Sequence, residues 1–139
     1  MPSNVHHYRE KVVESEKLTI NLGYVDLGRI DLLVQEGFYS NRSDFIRSAI
    51  RKELGVHAEA ISKSASRQTL DLGLLDYTKA DLESVLASGK QVHIRVIGLA
   101  RIASDVTPEL AEKAIASVSV LGLLQASPAV KAALADRTR

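Results

Sequence analysis

The sequence contains no cysteine and no tryptophan among its 139 residues, and aromatic side chains make up only 4% of it. Without cysteine the chain can form no disulfide, no thiolate zinc site and no thiol nucleophile. No apolar run approaches the roughly 18 residues that a membrane span needs, and the first residues lack the apolar stretch of a secretory signal. We therefore expect a cytoplasmic protein with no membrane partner.

Neither sign of charge is in excess, because the formal net charge is +1. Residues 1–57 hold eight basic and eight acidic side chains, so overall charge does not predict nucleic-acid binding. The sequence is 45% hydrophobic and 25% charged, which is typical of globular proteins. At this length it forms one ordinary domain or two small ones.

The segment EKLTINLG, residues 16–23, alternates between polar and apolar side chains as a β-strand does. In a strand, one face would carry Leu18, Ile20 and Leu22, and the other would carry Lys17, Thr19 and Asn21. No second strand pattern follows within the next thirty residues or so. A single strand leaves its backbone groups unpaired, so its partner must come from elsewhere.

Two helices are predicted after this strand. In YVDLGRIDLLVQEG the apolar residues recur at helical spacing, and Gly37 is placed to end the helix. In FYSNRSDFIRSAIRKELG, either Ser40 or Asn41 can cap the helix, with Ser43 or Asp44 three residues later, and Gly55 is predicted to end it.

One strand and two short helices are too small to close a hydrophobic core alone. Two copies could do so by pairing their strands antiparallel across a two-fold axis, which predicts a homodimer through residues 16–56. The outward face of the two-stranded ribbon would then carry Lys17, Thr19 and Asn21. Such a ribbon fits the major groove of DNA, where these side chains can contact base edges.

The order KLTINLG, amphipathic helix, GFYSNRSDFIRSAIRKEL resembles the ribbon-helix-helix DNA-binding proteins, the Arc, MetJ and CopG-like class, over residues 16–55. The resemblance implies that the outward ribbon residues read bases in double-stranded DNA: Lys17, Thr19 and Asn21. It also implies that the start of the second helix holds a backbone phosphate through Ser40, Asn41, Arg42 and Ser43. Free amides and the positive end of the helix dipole favour an anion there.

The second half of the sequence contains an internal repeat. Three apolar runs are centred on Gly73, Gly98 and Gly122, which lie 25 and 24 residues apart, and each run precedes a helical pattern. Thr107-Pro108 and Ser127-Pro128 are strong helix starts. The pattern predicts about three strand-helix units with a parallel, leucine-rich-repeat-like sheet.

The predicted fold is thus an α+β ribbon-helix-helix dimerisation domain joined to a small α/β domain. We predict a flexible arm over residues 1–15, the DNA-binding domain over 16–56, a helical linker over 57–70 and the repeat domain over 71–139. The linker sequence leaves open whether it extends the second helix or forms a joint. So short a repeat stack exposes sheet edges, so we expect the C-terminal domain to form higher oligomers or bind a partner.

The sequence offers no constellation for catalysis, a cofactor or a metal. Only His6 and His7 of the four histidines are close in sequence, and His93 stands alone in the C-terminal half. We expect a DNA-binding transcriptional regulator, most simply a repressor, and not an enzyme. Two alternatives stay open: an antitoxin whose C-terminal half inhibits a toxin, and a self-assembling scaffold that uses the ribbon to dimerise.

Overall fold

A computed structural model describes residues 15–139, which divide after Ala58 into two compact units. The predicted flexible arm lies outside the described residues except for Ser15. In the first unit, residues 15–23 belong to no helix or strand, and two helices follow: α1 (Tyr24–Gln35) and α2 (Arg42–Val56). Gly37 follows α1 as predicted, and the Phe38 amide beyond it donates to the Leu33 carbonyl at 2.9 Å.

The second helix does not stop at Gly55, so that prediction is wrong. α2 runs through Gly55 to Val56, because Gly55 keeps a negative φ and does not take the left-handed conformation that ends helices. The break comes at His57, and helix α3 (Ala58–Arg67) starts immediately after it. The segment 57–70 therefore contains a separate short helix, which resolves the alternative that the sequence left open.

The second unit alternates strands and helices. They are β1 (Asp71–Tyr77), α4 (Lys79–Ala87), β2 (Val92–Ile102), α5 (Pro108–Ala114), β3 (Ile115–Gln125) and α6 (Pro128–Ala133), with a 3₁₀ turn over Ala135–Arg137. The strands form one sheet in the order β1-β2-β3, and both pairings are parallel. The predicted three-stranded parallel sheet is confirmed.

Each helix of the repeat starts next to a residue whose side chain caps its first turn. The Thr107 hydroxyl accepts from the Leu110 amide at 3.1 Å, and the Ser127 hydroxyl accepts from the Val130 amide at 3.2 Å. Thr78 and Asp81 form a reciprocal capping box at α4, with the Thr78 amide donating to the Asp81 carboxylate at 2.9 Å. These caps fix where each strand turns into a helix.

A single hydrophobic core lies between the sheet and helices α4, α5 and α6. Its sheet side includes Ile94 and Val96 of β2, and its helix side includes Leu82, Ala111 and Val130, all of them almost fully buried. The helices pack in chain order, α4 against α5 and α5 against α6. Each strand-helix unit thus contacts its neighbours, as in a stacked repeat.

The repeat glycines align in one row across the sheet, since Gly73 pairs with Gly98 and Gly98 pairs with Gly122. All three have φ between 122° and 141°, a region that L side chains rarely adopt. A Cβ atom at Gly98 would collide with the Gly73 carbonyl oxygen, and one at Gly122 would collide with the Gly98 carbonyl oxygen. The spacing noted in the sequence therefore sets the register of the strands.

Candidate nucleic-acid interface

The predicted ribbon segment is exposed along its whole length. Its three apolar side chains, Leu18, Ile20 and Leu22, are 78%, 61% and 40% exposed. The predicted base-reading side chains Lys17, Thr19 and Asn21 are exposed as well. Residues 15–23 pair with no strand elsewhere in the described chain. Burying three aliphatic side chains is favourable, so this segment needs a second surface.

The two helices of the first unit are also poorly buried. Among residues 15–58, Ile30 is the one apolar side chain classed as buried. Large apolar groups at Phe38, Ile50 and Leu54 stay more than half exposed. Tyr39 and Phe45 pack edge to face, with ring centroids 5.0 Å apart. The apolar side chains of the first unit therefore remain largely exposed and need a second apolar surface to form a core.

Asn41 is the residue that caps α2. Its side-chain oxygen accepts from the Asp44 amide at 2.7 Å, and the Asp44 carboxylate accepts from the Ser40 amide at 2.9 Å. The sequence did not decide whether Ser40 or Asn41 caps the helix, and the structure shows that Asn41 does. The Asp44 carboxylate bonds back to the amide of Ser40, the residue before the cap, and not to the amide of Asn41 itself. This exchange fixes the backbone where the chain enters α2.

Arg42 is held by an acidic residue of α1. Its Nε and Nη2 atoms donate to the two carboxylate oxygens of Asp31 at 2.7 and 2.8 Å. This hydrogen-bonded ion pair lowers the pKa of Asp31 and raises the pKa of Arg42. The fork geometry is the strong, bidentate form of the pair, and it ties α1 to the start of α2.

The backbone at the start of α2 offers two free donors. Within residues 15–139, the amides of Arg42 and Ser43 have no hydrogen-bond acceptor, whereas those of Ser40 and Asp44 are engaged. Free amides at the positive end of a helix dipole suit a phosphate. The four predicted phosphate-binding residues thus differ: Arg42 and Ser43 present donors, Asn41 shapes the turn, and the Ser40 amide is occupied.

Sequence reasoning missed Asp31 and the bond of Asp44 to Ser40. Asp31 lies eleven residues before Arg42, so no helical spacing links them.

His93, which stood alone in the sequence, has its Nδ1 atom 2.8 Å from the Ser117 hydroxyl on the adjacent strand. No described cluster of histidine and carboxylate side chains is arranged to hold a metal ion.

Within residues 15–139, no helix combines the length and apolar character that crossing a membrane requires.

The ribbon segment, the two helices and the capped start of α2 are the parts from which a DNA-binding ribbon dimer is built. The chain matches the model of the Ribbon-Helix-Helix transcriptional regulator family over residues 13–131 and belongs to that family. The resemblance predicted over residues 16–55 is confirmed, and the match extends into the repeat domain.

A curated relative is similar over a shorter stretch. An uncharacterised protein from Methanocaldococcus jannaschii is 38% identical over 53 residues, which is 38% of this chain and 53% of the relative. The chain thus spans about half the length of the curated relative that it matches. No solved structure matches the chain.

Proposed function

We propose that the protein is a cytoplasmic transcriptional repressor that binds double-stranded DNA as a homodimer through residues 16–56. The family is one of transcriptional regulators, which supports a DNA-binding role and not catalysis. In the proposal, two copies pair residues 17–22 as an antiparallel ribbon that enters the major groove. Occupying a promoter in this way blocks transcription.

The exposed ribbon segment carries this proposal. Leu18, Ile20 and Leu22 present an apolar stripe that finds no cover among the described residues. Pairing with a second ribbon would place these side chains over the exposed apolar groups of α1 and α2. Lys17, Thr19 and Asn21 would then face outward, where lysine can donate to guanine and asparagine can bond adenine.

The start of α2 is proposed to hold a DNA phosphate. The free amides of Arg42 and Ser43 would donate to the phosphate oxygens, while Asn41 and the Ser40 turn keep the loop in place. The Asp31 carboxylate competes with phosphate for the Arg42 guanidinium. Each chain therefore offers few phosphate contacts, and we expect several dimers to bind side by side.

A second candidate function is a self-assembling scaffold that uses the ribbon only to dimerise. The folded repeat domain favours this candidate over an antitoxin, whose toxin-binding tail is usually disordered until bound. Higher oligomers through the C-terminal unit belong to both the repressor and the scaffold proposals. A sequence-specific DNA complex separates the two.

The test is fluorescence anisotropy of the full chain on its own upstream DNA and on a scrambled duplex, at two salt concentrations. Replacing Lys17, Thr19 and Asn21 together with alanine should remove the preference for the upstream DNA while the mass stays that of a dimer. A control with Lys90→Ala and Ser104→Ala loses the same positive charge from exposed positions of the second unit. If the ribbon variant binds each of the two duplexes with the same affinity as the control variant does, base reading by the ribbon is refuted and the scaffold is favoured.

A further inference from the structure

One face of the sheet in the second unit is left uncovered by helices α4, α5 and α6. The register aligns two rows of aliphatic side chains on it, and together they define the open face: Leu72, Ile97 and Leu121, then Leu74, Leu99 and Leu123. Leu72, Leu74 and Leu121 are 66%, 45% and 57% exposed. A contiguous apolar patch of this kind marks an interaction surface.

Parallel sheets occur almost entirely with both faces covered. Here α3 lies near one side of the open face and leaves a groove of about 400 Å³, lined by Ile61 and Ala65 of α3 together with Leu70, Ile97 and Leu121. α3 therefore covers only part of the face. The six aliphatic side chains call for a second layer of protein.

Polar rows border the open face at both ends. At one end Asp76, Arg101 and Gln125 are in register, and Arg101 Nε donates to Asp76 Oδ1 at 3.3 Å. At the other end Arg95 pairs with Ser119, and the Arg95 guanidinium donates to the Thr69 hydroxyl at 3.1 Å. An apolar centre with a polar rim is the usual organisation of a protein interface.

One rim residue is incompletely satisfied. The side-chain oxygen of Gln125 is buried and accepts no hydrogen bond from any residue between 15 and 139. The unsatisfied atom lies in the row that borders the aliphatic patch.

We propose that the open face packs against the open face of a second copy of this chain. This inference rests on the proposed function, because it takes the ribbon dimer as the source of the second copy. The repressor or scaffold would then be held together at two places, the ribbon and the sheet. Two sheets stacked in this way lie about 10 Å apart and bury both aliphatic patches.

The connection between the units favours a second copy over a foreign partner. Only His57 separates α2 from α3, and only residues 68–70 separate α3 from β1. A dimer formed through residues 16–56 therefore tethers two open faces by short segments. Tethering of this kind gives an effective concentration of about the millimolar range, so even a modest contact forms.

The open face can pair with itself. A two-fold axis across the strands sets the Asp76–Arg101 rim of one copy over the Arg95 rim of the other. The same rotation places the two aliphatic rows against each other, since the patch lies between the two rims. Such a contact closes on itself and buries the same residues in both copies.

The natural absence of cysteine provides a direct test in the full chain. Leu99→Cys puts a single thiol at the centre of the open face, and Ala80→Cys puts one on the exposed surface of α4. In air-saturated buffer with no DNA present, we expect the Leu99→Cys chain to form disulfide-linked dimers at least tenfold faster than the Ala80→Cys chain. Equal rates for the two variants would overturn the proposal.

Charged substitutions on the open face make the test specific. Adding Leu72→Glu and Leu121→Glu to the Leu99→Cys chain should abolish the cross-link, because paired carboxylates cannot be buried together. Adding Ala87→Glu and Ala129→Glu, which are exposed helix positions with the same charge change, should leave the cross-link intact. A cross-link that survives the first pair refutes the contact, provided that the circular dichroism spectrum is unchanged.

The outcome is separable from that of the DNA experiment. Sequence-specific DNA binding without the cross-link would leave the repressor standing and remove the sheet contact. A cross-link that persists in a chain without DNA preference would do the reverse. A mass equal to that of one chain would remove both.

Discussion

The carbonyl oxygen of Gly73 occupies the space that a Cβ atom at Gly98 would fill, and the Gly98 carbonyl stands in the same relation to Gly122. The three glycines form a row across the sheet, and the second and third each lie against the carbonyl group of the glycine before it. Gly73 differs from the other two, because no heavy atom lies within 4 Å of a Cβ built on it. Backbone strain and steric collision are therefore separable within one row.

Gly98→Ala should destabilise the second unit more than Gly73→Ala. Both substitutions force alanine to a φ near 140°, a strain of about 1–3 kcal/mol. Only Gly98→Ala adds a collision with backbone atoms, and overpacking of this kind costs about 1–3 kcal/mol more. Urea unfolding monitored by circular dichroism measures both changes. Equal losses would show that the close approach of the strands contributes nothing.

Ile20→Lys should unfold the first unit. In the proposed ribbon Ile20 faces the core between two chains, where a lysine charge has no partner. The helical signal of α1 and α2 should fall in circular dichroism, and the thermal transition of the first unit should disappear. Thr19→Lys places the same charge on the outward face and should leave that transition in place. An unchanged melting curve for Ile20→Lys would contradict the ribbon.

Asp31→Asn should strengthen DNA binding. The substitution removes the carboxylate that holds Arg42, so the guanidinium becomes available to phosphate. We expect tighter binding and a steeper salt dependence, with the log–log slope larger by up to about 0.9 for each additional phosphate that the protein neutralises.

The matched control for Asp31→Asn is Asp26→Asn. Asp26 lies in the same helix, pairs with Arg29 at 3.7 Å and carries the same charge. Anisotropy titrations at several salt concentrations compare the two variants. An equal increase in affinity from Asp26→Asn would show that net charge, and not the release of Arg42, is the cause.

The Asp81 cap should make the second unit sensitive to acid. Hydrogen bonds from the Thr78 backbone and side chain lower the pKa of Asp81 from its ordinary 3.8, so its charged form is favoured in the folded state. The resulting stability is present above the unfolded pKa and is lost as the pH falls through the folded pKa. Asp81→Asn should therefore be less stable than the natural chain at neutral pH, and the difference should shrink in acid.

Glu83→Gln is the control for the Asp81 experiment, because it removes a carboxylate from the same helix outside the capping box. Urea unfolding at neutral pH and well below pH 3.8 gives the comparison. A difference between Asp81→Asn and the natural chain that does not change with pH would exclude the titration of this carboxylate.

The parts of the fold with a regular period were predictable from the sequence. The repeat of Gly73, Gly98 and Gly122 predicted three parallel strands, because residues spaced alike along the chain fall in register across a sheet. Two helices followed the ribbon segment as the apolar spacing predicted. Repetition made these features recognisable in one sequence.

The features that depend on particular contacts were not predictable. The Asp31 to Arg42 pair joins two helices whose relative position no local spacing reveals. The end of α2 was misplaced by one residue because Gly55 is helical here and does not take the left-handed conformation that ends helices. The base-reading assignment depends on strand pairing between two chains, and the phosphate-binding assignment comes from the resemblance, so both remain proposals.

The row of glycines also bears on how the gene for such a domain changes length. Loss or gain of one whole unit, from one glycine to the next, keeps every remaining carbonyl beside a residue that has no side chain. Loss of a single residue within a strand brings a bulky neighbour into the row and breaks it. Natural variation in the size of this domain should therefore come in steps of about one repeat.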